Sequence, residues 1–279
     1  MLELIQIGRI AGVIVYGKRS KMDLEGIYRP AGSWVTHKRN LLRELLQDYT
    51  NEVSKNFKKY YYIDAFAGPG KNRIEETGEK IDGSPLIALK MKPPFTNYVF
   101  TEIDSDCYHA LCNRVQKFQS QGFKIKVLRG DCNKVLLEEV LPKIPPNTPI
   151  FAFLDPEGLE LKWETVKEFS NRMATILITF STQGVMRCLP REETSEAVNQ
   201  FFGTSREIEE INRKCDLGML SSPKLRYTLL QLYKSQLAKY FKYINNLCSV
   251  WTEDYSTHLY YLLFASNHDL IFRSRIRNR

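Results

Sequence analysis

A carboxylate followed by closely spaced glycines marks the segment DAFAGPG at residues 64–70. An acid at the end of an apolar run, followed by residues without bulky side chains, lets a nucleotide-like ligand lie against the backbone. Two better-known motifs do not fit. A Walker loop would need glycine at Ala65 and Ser or Thr at Asn72, and the dinucleotide fingerprint would need glycine at Arg73. The pattern that remains is D-x-x-x-G-x-G, for which a tight strand-to-helix turn without a ligand is the alternative.

Further acidic residues follow the next apolar runs. TEID contains Glu102, and GDCN contains Asp131. Glu102 suits a ribose, because a carboxylate accepts two hydrogen bonds from a vicinal diol, and Asp131 could accept from an adenine amino group. Asp104 is a second candidate for the ribose. Asp104 and Asp131 could also simply cap the helices that follow them.

The segment FLDPEG places Asp155 and Pro156 after a fourth apolar run. A carboxylate beside a carbonyl can accept the hydrogens of an amino group and so orient its nitrogen. Amino-methyltransferases carry [DNS]-P-P-[YFW] at such a point, whereas this chain has Glu157 and Gly158 in the last two positions. The two hydrogen-bond acceptors of the motif, the Asp155 carboxylate and the Pro156 carbonyl, are therefore present, but the aromatic ring that would stack on a base is missing. Three aromatic residues elsewhere could stack instead, although core packing is their commoner fate: Phe66, Trp163 and Phe180.

Apolar runs alternate with helix-like segments from residue 60 onward, which predicts an α/β fold with a largely parallel sheet. The runs that we interpret as strands are 60–66, 98–103, 124–128, 150–154, 174–180, 243–251 and 259–266. The carboxyl ends of parallel strands meet at one edge of a sheet, and ligands of open α/β sheets bind at that edge. We therefore expect the acids that follow successive strands to lie close together.

The chain divides into a core with two additions. Residues 1–59 form an N-terminal extension and a leading helix, and within them residues 1–33 are expected to be irregular. Residues 60–182 and 240–279 form a Rossmann-like core. Residues 183–239 are helical and polar, and read as an insertion over the carboxyl edge of the sheet. We also interpret KNRIEETGEKID as a long polar loop, and expect the last two strands to join through a turn near Glu253.

Composition bounds the class of protein. The chain has 279 residues, of which 43% are hydrophobic and 26% charged, so it is neither disordered nor a disulfide-stabilised miniprotein. Its six cysteines include no C-x-x-C pair and its four histidines show no ligand spacing, so we expect no metal. The net charge of +8 permits binding to nucleic acid. No apolar run is long enough for a membrane span, and sparse cysteines favour a cytoplasmic protein with reduced thiols.

The ordered set of motifs resembles one family. D-x-x-x-G-x-G matches the first motif of S-adenosylmethionine-dependent methyltransferases. Together, DAFAGPG, DGSPLIAL, TEID, GDCN, FLDPEG, the ITFS strand and the YYLLFAS strand resemble the three-Cys-motif partner proteins, from about Lys38 to Ser266. Residues 83–86 (GSPL) are also similar to a segment of the ribosomal-RNA adenine N6-methyltransferases of the J type. The resemblance implies a seven-stranded class I methyltransferase sheet, S-adenosylmethionine as cofactor, and genetic linkage to a radical-SAM-like partner protein.

The resemblance also assigns roles to residues. Asp64 would bond the amino end of the cofactor, and Ser84 would cap its helix and bond the methionine carboxylate. The polar loop at 71–82 would lie over that methionine end. Asp155 and Pro156 are the expected catalytic residues. The expected cofactor-binding residues are Asp64, Phe66, Ala67, Gly68, Gly70, Ser84, Glu102, Asp131 and Cys132.

Two functions follow as hypotheses. The first is an S-adenosylmethionine-dependent N-methyltransferase that acts on an amino nitrogen, with adenine in RNA or DNA as the favoured acceptor. The alternative is a catalytically inactive accessory subunit that acts with the radical-SAM-like partner. The retained acids at the strand ends favour the enzyme, and the missing stacking ring favours the accessory subunit.

Overall fold

The computed structural model describes residues 4–10, 13–18, 26–189, 191–252 and 257–269. The turn predicted near Glu253 lies outside these residues. The strands are β1 (Leu4–Ile10), β2 (Val13–Lys18), β3 (Arg29–Ala31), β4 (Tyr61–Asp64), β5 (Lys71–Ile74), β6 (Lys80–Asp82), β7 (Asn97–Glu102), β8 (Ile125–Arg129), β9 (Ile150–Leu154), β10 (Ala174–Ser181), β11 (Tyr243–Trp251) and β12 (His258–Ser266).

The helices fall mostly between the strands. They are α1 (Val35–Asn56), α2 (Ser84–Leu89), α3 (Ser105–Gln119), α4 (Cys132–Lys134), α5 (Trp163–Ser170), α6 (Thr182–Cys188), α7 (Ser195–Phe202), α8 (Arg206–Asp216) and α9 (Ser222–Ala238). A π-helical turn, Val135–Val140, and a 3-10 turn, Leu141–Lys143, continue α4. Four of the helices, α6 to α9, follow one another between β10 and β11. No helix among the described residues is long and apolar enough to cross a bilayer.

Seven strands form the central sheet, in the order β11-β12-β10-β9-β4-β7-β8. The five strands from β10 to β8 are parallel, and β12 runs antiparallel to both β10 and β11. The predicted seven-stranded Rossmann-like sheet is therefore confirmed. Because the register pairs Asp64 of β4 with Phe100 of β7 and Phe153 of β9, the carboxyl ends of these strands lie level at one edge.

Aromatic side chains fill both faces of the sheet. One face is packed by Tyr49, Tyr62, Phe95, Phe100 and Phe151 in a single cluster with α1, α2 and α3. The other face carries Trp163, Phe180, Phe201, Phe202 and Tyr233, which contact one another. Trp163 and Phe180, two of the three rings proposed for stacking on a base, therefore belong to this core. Stacking each of these two rings between helices and sheet removes more apolar surface from water than a site at the surface would.

The polar segment at 71–82 is not the loop that its composition predicts. It forms the antiparallel hairpin of β5 and β6, and β3 adds to β5 in parallel. Ile74 and Ile81, the isoleucines on either side of the turn, pack with Val35 in a small apolar cluster. Gly78 at the turn has a φ of 72°, which glycine adopts without strain. The two buried isoleucines and the turn glycine thus stabilise a hairpin within a segment that is otherwise polar.

The described part of residues 1–33 contains strands, although its glycines suggest an irregular extension. β1 and β2 pair as an antiparallel hairpin, and β3 joins the three-stranded sheet. β3 has only three residues, and its order comes from a partner about 40 residues further along the chain. Such pairing leaves no local periodicity in the sequence.

Candidate active site

The turn after β4 requires two of its glycines for different reasons. Gly68 has a φ of 59°, in the left-handed region that disfavours other residues. Gly70 has a φ of 82°, and a Cβ there would lie 2.9 Å from Leu111 Cδ1. The Thr101 hydroxyl donates to the Ala65 carbonyl at 2.7 Å, which ties the turn to β7. At these two glycines the turn thus carries no side chain beyond the backbone.

Asp64 supports this turn from below. Its side chain is fully buried; Oδ2 accepts from the Tyr62 hydroxyl at 3.0 Å, Oδ1 accepts from the Phe66 N–H at 3.4 Å, and the Ser84 hydroxyl lies beside it. Burial raises the pKa of Asp64 to about 7, although the hydroxyl neighbours oppose that shift. Asp64 lines neither of the two cavities described below. The structure therefore gives it a supporting position rather than the direct contact with a ligand that the resemblance implies.

Two cavities lie at this edge of the sheet. The first, which we call the Glu102 cavity, has a volume of about 360 Å³ and lies at the ends of β7 and β8. Glu102 accepts from the Gly68 N–H at 2.7 Å and from the Asp104 N–H at 2.8 Å, so each carboxylate oxygen has a fixed direction. Ile103 beside it is 67% exposed, an unusual position for an isoleucine, and forms an apolar wall. The sequence does signal Ile103, as the apolar residue that directly follows the strand-ending acid.

Asp104 and Asp131 both act as helix caps. Asp104 accepts from the N–H groups of Asp106 and Cys107 at the start of α3, and these bonds lower its pKa. Asp131 accepts through Oδ1 from the Asn133 N–H at 2.9 Å and from its side-chain amide at 2.8 Å. Both residues also line the Glu102 cavity, together with the buried Cys132. Capping and ligand binding are therefore compatible here, since the hydrogen bonds that Asp131 accepts from the described residues use only one of its oxygens.

Ser84 does not cap α2. The N-cap position belongs to Gly83, and no side chain caps this helix. A Cβ on Gly83 would lie 3.0 Å from the Gly70 carbonyl, so the close approach of the two turns leaves no room for a capping serine at that position. Ser84 is instead the first residue of the helix, where its hydroxyl faces Asp64 and its surface lines the second cavity.

The second cavity, the Asp155 cavity, has a volume of about 350 Å³ at the ends of β9 and β10. Lys38 of α1 donates to both oxygens of Asp155, at 2.8 and 2.7 Å, and each side chain is less than a fifth exposed. Burial alone would raise the pKa of Asp155, but the Lys38 ammonium and the Arg29 guanidinium hold it below its ordinary value. Asp155 is therefore ionised and fixed in direction.

Tyr260 of β12 forms the back of the Asp155 cavity. The Lys38 ammonium lies 5.0 Å from the centre of its ring, a cation–π distance. The Tyr260 hydroxyl is buried and has no hydrogen-bond partner within the part of the chain that the structure describes. A buried hydroxyl without a partner is costly, and a polar group of a ligand could satisfy it.

The two cavities share one wall, which contains Arg29, Pro30, Phe66, Gly68 and Glu157. Of the predicted site residues, the structure places these in the Glu102 cavity alone: Glu102, Asp131 and Cys132. It places these in the Asp155 cavity alone: Ala67, Ser84, Asp155 and Pro156. Phe66 and Gly68 line both, whereas Asp64 and Gly70 line neither. Lys38, Arg29 and Tyr260 were not predicted, because no local motif connects them with the residues that they meet.

Groups outside the cavities suggest no further chemistry. His258 is buried with Nδ1 2.7 Å from the Thr182 hydroxyl, and burial lowers its pKa to about 4, so it is a packed neutral histidine. All six cysteines are free thiols. The described residues hold no group of three His, Cys, Asp or Glu side chains arranged for a metal ion.

Comparison with known proteins shows the fold. No protein-family model and no curated protein matches the chain. Among solved structures, protein LPL1258 from Legionella pneumophila, of the DUF519 family model, has a TM-score of 0.51 and 12% identity, and the match covers 86% of this chain and 88% of that one.

Two solved methyltransferases have lower scores. The N-terminal domain of human METTL16 in complex with SAH matches at a TM-score of 0.43 and 11% identity, over 85% of this chain and 70% of that one. Precorrin-6y C5,15-methyltransferase from Geobacter metallireducens matches at a TM-score of 0.42 and 11% identity, over 86% of this chain and 93% of that one. The strand order, with its antiparallel β12 beside β10, is that of the class I methyltransferases. The chain therefore has a Rossmann-like class I methyltransferase fold.

Proposed function

We propose that this protein is an S-adenosylmethionine-dependent methyltransferase that acts on an amino nitrogen, with adenine in RNA or DNA as acceptor. The observation that carries the proposal is the pair of cavities that meet over the Phe66–Gly68 turn at the carboxyl edge of the sheet. Each cavity has a carboxylate of fixed direction, and a glycine backbone lies between them. A ligand with a nucleoside end and a reactive end fits this arrangement.

The residues of the Glu102 cavity fit the nucleoside end. Glu102 keeps both oxygens directed by backbone N–H groups and can accept further hydrogen bonds from ribose hydroxyls. Ile103 offers an apolar surface to the adenine, and Asp131 offers an acceptor to its amino group. Ser84, on the first turn of α2, would meet the methionine carboxylate. When bound, the cofactor supplies a methyl group on a sulfonium leaving group.

The residues of the Asp155 cavity would orient the acceptor. The Asp155 carboxylate and the Pro156 carbonyl would accept the amino hydrogens, which directs the nitrogen lone pair toward the methyl carbon. Lys38 keeps Asp155 ionised and in place, since it donates to both oxygens. The Tyr260 hydroxyl supplies one more polar contact. Positioning of this kind, rather than acid–base chemistry, would provide most of the rate enhancement.

Two features favour nucleic acid as the substrate. The net charge of +8 suits a phosphate backbone. Phe66 is half-buried, lines both cavities, and remains as a ring that can stack on a base after Trp163 and Phe180 have been assigned to the core. The similarity to the J-type ribosomal-RNA adenine N6-methyltransferases supports adenine.

One observation favours the accessory-subunit alternative. Lys38 already donates to both oxygens of Asp155, and Glu157 stands where amino-methyltransferases have a second proline. An acid engaged in this way has less capacity to accept from a substrate. Under this alternative the protein would bind the cofactor, or only its radical-SAM-like partner, without transferring a methyl group.

Titration calorimetry and a transfer assay together test the proposal. We expect the protein, stripped of co-purified ligand, to bind S-adenosylhomocysteine (SAH) with micromolar affinity and to transfer labelled methyl groups to RNA or DNA. The Asp155→Asn variant should bind SAH within about twofold of wild type and lose at least about a hundredfold in transfer, because only the acceptor is misoriented. Glu79→Gln makes the same kind of carboxylate-to-amide change at an exposed position between β5 and β6, and should alter neither.

The outcomes separate the two functions. Binding of SAH without transfer to any RNA or DNA would favour the accessory subunit. Full transfer by Asp155→Asn would remove Asp155 from the acceptor site. Absence of SAH binding at millimolar concentration would overturn the proposed cofactor.

A further inference from the structure

The side chain of Arg29 crosses the boundary between the two cavities. Arg29 lies on β3, in the N-terminal part of the chain, and its guanidinium forms an ion pair with the Glu157 carboxylate. Both residues line the Glu102 cavity and the Asp155 cavity. The ion pair therefore lies on the wall that the two cavities share, beside any ligand that occupies both.

Arg29 also covers the glycine turn. A Cβ placed on Gly68 would lie 3.6 Å from Arg29 Nη1 and 3.8 Å from Arg29 Cδ, which is ordinary van der Waals contact. The guanidinium thus lies over Gly68, where the sequence predicts that the cofactor approaches the backbone closely. A ligand that contacts the Gly68 backbone from this side needs the space that Arg29 fills.

Carboxylates surround the Arg29 cation. Burial alone would lower the pKa of Arg29, yet the charges of Asp155, Glu157 and Glu102 raise it above its ordinary value. Glu157, in contrast, is 73% exposed at its side chain, so water competes for the ion pair. Ion pairs with an exposed partner are weak, so this contact can open at ordinary temperature.

The backbone behind Arg29 is held firmly, so opening needs only the side chain to move. Arg29 pairs with Asn72 in the register of β3 and β5. Arg114 donates to the Ile27 carbonyl and to the Pro69 carbonyl, each at 2.6 Å, and its guanidinium lies 5.0 Å from the Tyr28 ring. Side-chain rotation is fast on the scale of ligand binding.

We infer that Arg29 and Glu157 form a latch over the cofactor groove, which opens to admit the cofactor and which slows both its entry and its release. The inference rests on the proposed function. It also gives Glu157 a purpose at the position where the amino-methyltransferase motif has proline: the residue that departs from the motif is the one that pairs with Arg29.

Stopped-flow binding of SAH tests the latch. SAH has no net charge at neutral pH, so added salt acts mainly on the ion pair, and Trp34, which lines the Asp155 cavity, provides a fluorescence signal. The variants are Arg29→Gln, Glu157→Gln and the double variant. Arg73→Gln and Glu75→Gln are matched controls, since they make the same charge changes at exposed positions nearby and line neither cavity.

We expect both single variants to raise the association rate constant by about threefold to tenfold, the range that a weak ion pair supports. The dissociation rate constant should rise as well, and the double variant should add little to either single change. Added NaCl should raise the association rate of wild type toward that of the variants. The two controls should behave like wild type.

Three results would overturn the latch. Unchanged rates in Arg29→Gln and Glu157→Gln, with wild-type binding intact, would reject the latch and leave the proposed function standing. Slower association in Arg29→Gln would make Arg29 a cofactor ligand instead. If neither wild type nor any variant binds SAH, the proposed cofactor fails and the latch fails with it. Binding by the variants but not by wild type would support the latch in its strongest form.

Discussion

The two cavities hold their carboxylates by different means. In the Glu102 cavity, backbone N–H groups direct the acids, and most of these come from the next few residues: Asp104 for Glu102 and Asn133 for Asp131. In the Asp155 cavity, and on the wall that it shares with the Glu102 cavity, side-chain cations do so from far away in the chain. Lys38 and Asp155 are 117 residues apart, and Arg29 and Glu157 are 128 apart.

This difference bears on how each half of the site would behave. Backbone N–H groups at strand ends are fixed by the sheet, so the Glu102 cavity keeps its geometry when a neighbouring side chain changes. Ion pairs between side chains can open and close, and they depend on the N-terminal segment staying docked on the sheet. The fixed half suits recognition of the cofactor, and the adjustable half suits exchange of substrate.

The largest effect is expected at Asp64, which supports the turn between the cavities. The folded protein holds the Asp64 proton with a pKa near 7, against an ordinary value of 3.8, so it binds this proton more tightly than the unfolded chain does. The stability gained is complete below about pH 4 and is lost as the pH rises through 7. Relative to Asp64→Asn, wild type should lose on the order of 4 kcal/mol in free energy of unfolding between pH 4 and pH 8.

Urea unfolding of both proteins across this pH range measures the difference. Parallel curves for wild type and Asp64→Asn would mean that folding does not raise the pKa of Asp64.

The next effect concerns the Asp155 cavity alone. Lys38→Met removes the ammonium and leaves Asp155 buried without its closest cation, which should destabilise the fold by about 3 kcal/mol. Adding Asp155→Leu should restore most of that loss, because the unpaired charge is gone. Lys55→Met is the control, since Lys55 pairs with Glu52 on the same helix at 2.8 Å but at the surface, and should cost less than about 1 kcal/mol.

Denaturant unfolding at pH 7 compares the three changes. A loss in Lys38→Met no greater than that in Lys55→Met would show that the long-range pair contributes no more than a surface contact, and the contrast between the two cavities would then disappear.

A smaller effect is expected on the affinity of the Glu102 cavity for SAH. Glu102→Ala should weaken SAH binding by about 1.5–3 kcal/mol, because hydrogen bonds to a charged group are lost and two backbone N–H groups are released. Glu138→Ala, an exposed position between β8 and β9, should bind as wild type does. Calorimetry provides both affinities, and thermal unfolding confirms that each variant is folded. Unchanged affinity in a folded Glu102→Ala would remove Glu102 from the ribose.

The smallest effect is expected at Asp131, where capping can be separated from ligand binding. Asp131→Asn retains a cap acceptor and should unfold within about 0.5 kcal/mol of wild type, whereas Asp131→Ala should lose about 1 kcal/mol. If Asp131 also accepts from adenine through its other oxygen, both variants should bind SAH more weakly than wild type, because asparagine that keeps the cap places an amide NH2 there. Wild-type SAH affinity in both variants would leave Asp131 with capping as its whole role.

Local chemistry in the sequence determined much of this protein. Apolar runs that alternate with helix-like segments predicted the sheet, because each buried parallel strand needs a continuous apolar segment. The sequence placed Glu102 and Asp131 at one edge of that sheet, because each acid directly follows a predicted parallel strand. The glycines of the turn were found because their backbone conformation excludes other residues.

Tertiary structure alone decided the rest. β3 and the β5–β6 hairpin are ordered by partners distant in the chain, and no periodicity marks them. Ser84 is the first residue of its helix rather than its cap, since Gly70 and Gly83 approach too closely for a side chain. Lys38 and Arg29 resemble other surface cations in the sequence. Only the docking of β3 and α1 against the sheet brings them to Asp155 and Glu157, because an ion pair requires proximity in space and none in the chain.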